Sequence, residues 1–137
     1  MEKLTEFFDY QEFGIMEKLT EFTDEIDISI KENIKKLVVN VMEKIRTEYG
    51  MPIYITSGYR TPEHNKKVGG VANSQHIYGE ACDFTGRDFR RLLRIIEEMD
   101  DKGLLNYDQL IIYRKRQFIH VSYRNESINR NQKIIKL

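Results

Sequence analysis

The stretch "SQHIYGEACDF", residues 74–84, decides the reading of this chain. It sets His76 and Asp83 seven positions apart, with Gly79 between them, among mostly small and apolar residues. Its end, "EACDF", reads as a strand, which places Asp83 between Cys82 and Phe84. A carboxylate in such company is costly to bury unless a cation meets it. His120 poses the same problem in "FIHVSY". It stands between Ile119 and Val121, faces away from both, and needs a partner in a cavity or across the sheet. The third and last histidine, His64, follows Pro62 and Glu63 in a polar helical turn and reads as a surface residue. Zinc held by two histidines and one carboxylate, with an open position for water, would satisfy all three groups. Ordinary pairing within the fold would satisfy them too, and spacing alone does not choose.

Working outward, Ile30, Ile34, Leu37, Val38, Val41, Met42, Ile45 and Tyr49 recur at three- and four-residue steps. That period predicts a long amphipathic helix from Asp27, stopped by Gly50 with Pro52 just beyond. "PIYITSG" reads as a strand, and "RTPEHNKKVGG" as a short helix capped by Thr61 with Pro62 in its first position. Phe89, Leu92, Leu93, Ile95, Ile96 and Met99 mark a second amphipathic helix over residues 87–102, closed by Gly103. "YDQLIIYRKRQFIHVSY" is two strand-like runs about a short basic turn, a hairpin. Helices followed by a mostly antiparallel sheet make the fold class α+β, with two or three helices packed on the sheet.

The bounds agree with one soluble domain spanning residues 1–137. A chain of 137 residues with 40% hydrophobic content suffices for a single core. Formal net charge is zero, which argues against general nucleic-acid binding. Charge is nonetheless uneven: the first 27 residues are acidic, and residues 114–137 are basic apart from Glu126. That basic end reads as a solvated surface. Cys82, the single cysteine, rules out an intramolecular disulfide and reads as a core residue. No apolar run reaches the roughly 20 residues of a membrane span, and the acidic start is no signal peptide. Synthesis in the cytoplasm is therefore expected, as a monomer. The heptapeptide MEKLTEF occurs twice, at 1–7 and 16–22. Two short copies make no solenoid, and a local duplication or a second start at Met16 explains them. Residues 1–15 are accordingly expected to be a dispensable extension.

Three motifs together carry a resemblance. "SQHIYGEACDF" is similar to the S-x-H-x-x-G-x-A-x-D signature of zinc D-Ala-D-Ala peptidases, matching at Ser74, His76, Gly79, Ala81 and Asp83. Upstream, "ITSGYR" resembles that family's S-G-Y-R segment, with its arginine at Arg60; downstream, "FIHVSY" resembles the strand of its last metal histidine. The resemblance runs from about residue 17 to the end, and is nearest to compact bacterial and phage members. It implies the hedgehog/DD-peptidase fold and one zinc ion held by His76, Asp83 and His120. It also implies that Arg60 holds a substrate carboxylate or polarises the scissile carbonyl, with Ser74 a secondary substrate contact. A planar, permanently charged fork suits the first task.

The implied activity is hydrolysis of D-Ala-containing peptidoglycan stem peptides, by a carboxypeptidase or endopeptidase such as a phage or prophage lysis enzyme. It would act on the bacterial wall after release or export. One position departs from part of the family: several members place Glu or Asp three residues before the last histidine, where this chain has Gln117. An amide cannot take a proton from water. A hairpin closing with Tyr113 opposite Gln117 would put Leu110 opposite His120, and Asp108 about 7–8 Å away on the same face. Asp108 is thus expected to serve as the base or to orient a metal histidine, unless it only caps the hairpin. A one-residue shift turns it away. Glu80, the other nearby acid, sits in what reads as a solvated turn. The alternative function is a catalytically weakened zinc-binding module that recognises wall peptide or a protein partner.

Overall fold

The three- and four-residue spacing from Ile30 to Tyr49 builds one continuous helical run, with the eight apolar positions of that repeat all buried. In the computed structural model, which describes residues 3–14 and 25–137, this run comprises α1 (Glu25–Leu37), a wider π turn (Val38–Met42) and α2 (Glu43–Tyr49). The π turn, which the period did not predict, lies where adjacent Leu37 and Val38 are both fully buried. Gly50 ends α2 in the left-handed region, at φ 75, its N–H donating to the Arg46 carbonyl.

Strand β1 (Ile53–Ser57) follows, then α3 (Pro62–Lys67), whose first turn is capped by the Thr61 hydroxyl accepting from the His64 N–H. A single 3-10 turn, Gln75–Tyr78, leads into β2 (Ala81–Gly86). Helix α4 (Phe89–Asp101), capped by Asp88, buries Phe89, Leu92, Ile96 and Met99 on one stripe. Strands β3 (Gln109–Tyr113), β4 (Phe118–Ser122) and β5 (Gln132–Lys136) complete a five-stranded sheet in the order β1-β2-β4-β3-β5. All pairings are antiparallel except β3 with β5. The class is α+β, as expected.

Strand alternation divides the sheet. Cys82, Phe84, Leu110, Ile112, Ile119 and Val121 point into the core shared with the helices. On the opposite face, Ser57, Asp83, His120, Ile111 and Ile134 stand in register across all five strands. The site is built on this row.

Two expectations are revised. Of the stretch 1–15, expected to be dispensable, the described residues 3–14 pack on the domain. Phe8, Tyr10 and Phe13 are buried in the core, the Tyr59 N–H donates to the Phe13 carbonyl at 2.7 Å, and Thr5 bonds Glu43 at 2.6 Å. Gly58 lies so close to this segment that a Cβ there would come within 2.6 Å of the Phe13 backbone. The second MEKLTEF copy falls outside the described residues. The hairpin register is also one residue off: Tyr113 opposes Phe118, so Ile111 faces His120. Gln117 takes φ 57 and belongs to the turn, donating its N–H to the Tyr113 carbonyl. The basic end supplies β5, and its lysines and arginines lie exposed, the solvated surface expected of it.

Candidate metal centre

Asp83 and His120 are direct cross-strand partners on the two central antiparallel strands, which brings their side chains together on the open face. His120 Nδ1 lies 2.8 Å from Asp83 Oδ1. His76 arrives from above, on the 3-10 turn before β2. Ser74 caps that turn, its hydroxyl accepting from the His76 N–H at 3.3 Å. Gly79 ends it at φ 73, where its α-carbon packs against Ile30; an added Cβ would meet the Ile30 carbonyl at 2.7 Å. This close approach lets the chain drop straight from the turn into β2.

The ring of His76 is buried, and its Nδ1 donates to the Gly58 carbonyl at 2.8 Å. A carbonyl only accepts, so Nδ1 carries the proton and Nε2 of the neutral ring presents a lone pair. That lone pair faces Asp83 Oδ1 at 3.3 Å. Two acceptors at this distance call for a cation or a proton between them. One donor atom from each of His76, Asp83 and His120 lies within 4.8 Å of the others, and the two imidazole centroids are 5.2 Å apart. Two imidazoles, one fixed in tautomer by a backbone carbonyl, and a carboxylate form a donor set suited to zinc. Burial would raise the Asp83 carboxyl pKa. When a proton rather than a metal fills the gap and the imidazoles are charged, hydrogen bonds from His120 and then His76, with their charge, outweigh burial and hold it well below the usual carboxylate range.

Arg60 completes the cluster. Its Nη2 lies 3.6 Å from Asp83 Oδ2, Nε donates to the Ser57 hydroxyl at 3.1 Å, and Nη1 donates to Asn65 Oδ1 at 3.3 Å. Asn65 is buried and in turn donates to the Val71 carbonyl at 2.8 Å. The guanidinium is thus steered from two sides toward a groove of about 850 Å³, which Arg60, Ser74, His76, Asp83 and His120 all line. His64 is exposed on α3 and lines none of it.

Residues 8–122 match the model of the peptidase M15 family. The chain belongs to that family. It is the zinc D-Ala-D-Ala carboxypeptidase type that the motifs resemble, and its members are typically zinc-dependent. A comparison with curated proteins gave no match.

In this M15 family member the acids of the groove differ from expectation. The corrected register places Ile111, not Leu110, opposite His120, so the alternation that was to bring Asp108 onto His120's face does not hold. Asp108 does line the groove, but both its oxygens are taken: Oδ1 accepts from Arg130 N–H and Nε, and Oδ2 from Arg130 Nη2 and Gln75 Nε2, all within 3.0 Å. Burial would raise its pKa, yet these bonds, Arg130's above all, hold it below the usual carboxylate range. Glu80 also lines the groove and is half-buried rather than solvated. Burial pushes its pKa up and Asp108 adds to the rise, against opposing effects of Arg124, Gln75 and Lys36. Gln117 is exposed in the turn and lies outside the groove. Sequence reasoning missed Asn65, Gln75, Arg130 and the Gly58 carbonyl. Gly58 and Gln75 carried a signal, by their places inside the two motifs.

Proposed function

We propose that the chain is a zinc-dependent peptidase that hydrolyses D-Ala-containing stem peptides of peptidoglycan. The observation that carries this reading is the convergence of His76, Asp83 and His120 beside an aimed guanidinium, in a groove of an M15 family member. Zinc bound by those three residues would supply Lewis acidity, lowering the pKa of water toward about 7 and polarising an amide carbonyl.

The chain's own residues divide the remaining work. Arg60, held by Ser57 and Asn65, presents its outer amino group to a substrate carboxylate or to the carbonyl under attack. Ser74 gives one of its two acceptor lone pairs to the His76 N–H, which leaves its hydroxyl proton free to donate to a peptide in the groove. The floor beyond His120 is apolar at Ile111 and aromatic at Tyr113, a surface for peptide side chains. Proton transfer falls to Glu80. Of the acids lining the groove, Asp83 belongs to the metal trio and Asp108 is saturated by Arg130 and Gln75. A raised pKa suits Glu80 to taking and returning a proton near neutral pH.

The amide at Gln117 favours a second reading, a zinc-binding module that recognises wall peptide without turnover. Incubation of zinc-loaded protein with purified peptidoglycan, with products identified by mass spectrometry, separates the two. Peptidase action releases D-Ala or shortened stem peptides, whereas a module is retained on the wall and yields no products. In the peptidase case, Glu80→Gln should lose about 10²–10⁴-fold in rate while keeping its zinc. A fully active Glu80→Gln enzyme would place the base elsewhere.

A further inference from the structure

Two of the three metal-binding side chains stand on the central strands, but His76 rides on a turn outside the sheet. Its place relative to Asp83 and His120 therefore depends on what ties the turn down. On the β1 side one side-chain and one backbone bond do so: His76 Nδ1 to the Gly58 carbonyl, and the Arg60 N–H to the His76 carbonyl at 3.0 Å. On the β3 side the tie is a chain of side chains. Gln75, the first residue of the turn, donates from Nε2 to Asp108 Oδ2 at 3.0 Å. Asp108 is 0% exposed and is bolted to the sheet, its N–H donating to the Ser122 carbonyl and its carbonyl accepting from the Gln132 N–H. Arg130 closes the chain with a bidentate grip, Nε on Oδ1 at 3.0 Å and Nη2 on Oδ2 at 2.9 Å. Arg130 and β5 lie beyond residues 8–122, the part that matches the family.

We propose that Arg130, Asp108 and Gln75 are positioning residues for the metal centre, through which the C-terminal segment sets the turn that carries His76. The proposal rests on the zinc reading above. Without the Arg130 side chain each oxygen of the buried Asp108 carboxylate would keep one donor, the residue-130 N–H or Gln75 Nε2, and the charge left without its cation would draw in water and loosen the hold on Gln75. Outer partners of metal-binding residues commonly affect affinity by 10–100-fold. Because the three act in series, breaking the chain at either end should have the same consequence.

Zinc affinity of the full chain, measured by competition with a chelating dye, tests this on Gln75→Met, Arg130→Ala and the double variant. Each single change should weaken zinc binding about 10-fold, and the double change should do no worse than either. The melting temperature of the zinc-free proteins is followed in parallel, and the visible spectrum of the cobalt(II) forms should shift alike in all three. Arg130→Lys, which keeps charge but not the fork, should recover part of the affinity if Arg130→Ala folds poorly. Unchanged affinity in the single variants would overturn the proposal. So would losses that multiply to about 100-fold in the double variant, or that merely follow the melting temperature. Zinc retained by His120→Ala would remove the centre itself, and the relay with it.

Discussion

His76 and His120 approach one carboxylate oxygen by different nitrogens, Nε2 from the turn and Nδ1 from the neighbouring strand. The difference has a cause in each backbone. Gly58 captures Nδ1 of His76, while strand pairing presses the near side of the His120 ring against Asp83. Removing either imidazole leaves two donors, too few for tight zinc binding. His120→Ala should therefore lose most of its bound zinc, and His64→Ala none, as read by elemental analysis of purified protein; equal losses would refute the assignment. Arg60 makes a separate case, since its contacts use the spread of the guanidinium rather than its charge alone. A lysine offers one point and cannot reach Ser57, Asn65 and the groove together. Arg60→Lys should cut kcat/KM by at least 10-fold with zinc content unchanged. Unaltered kinetics would make Arg60 a structural ion pair.

Elements came through the sequence unevenly, for physical reasons. The helices ending at Gly50 and Gly103 and the strands carrying Asp83 and His120 follow from periodicity and breakers, since each buries one stripe or one face. That legibility extends to the convergence of His76, Asp83 and His120, polar residues stranded on apolar strands or inside a motif. β5 left no such mark. "QKIIK" has no alternation, and its pairing with β3 is parallel and set by distant residues. The hairpin register turned on Gln117, whose left-handed φ lengthens the turn to four residues and carries Asp108 away from the expected alignment. The repeated MEKLTEF misled in another way: repetition suggested redundancy, but residues 8–13, "FDYQEF", have no second copy. They supply Phe8, Tyr10 and Phe13 to the core, and Phe13 packs where only a glycine at 58 gives room. Deleting residues 1–15 should destabilise the protein severely, and Phe13→Ala alone should cost about 3–5 kcal/mol in denaturant unfolding. Full stability after the deletion would mean that the core closes without this segment.

At the scale of the molecule, the sheet is shared between a core face and a site face, and its last strand is fastened by one buried charge. Asp108 is inaccessible to solvent, whereas the Arg130 side chain that neutralises it is 55% exposed. An exposed partner is screened by water, so the pair contributes less than a fully buried one. Its sign is nevertheless definite. Hydrogen bonds from Arg130 bring the Asp108 pKa below its ordinary value despite burial. A carboxylate depressed in the folded state adds stability that is complete above its unfolded pKa, about 3.9, and fades as pH falls through its folded value. Arg130→Ala should consequently melt below the wild type at pH 7 when both are zinc-free, and the gap should narrow in acid as the pH falls through the folded-state value of Asp108 and it protonates. Phe13→Ala provides the contrast, because an apolar cavity carries no proton and its deficit should persist across the same range. Calorimetry of the three proteins between pH 7 and the acid limit of solubility measures both trends. A gap for Arg130→Ala that ignores pH would show that the arginine steadies the C-terminal segment by packing its stem, not by meeting the charge beneath it.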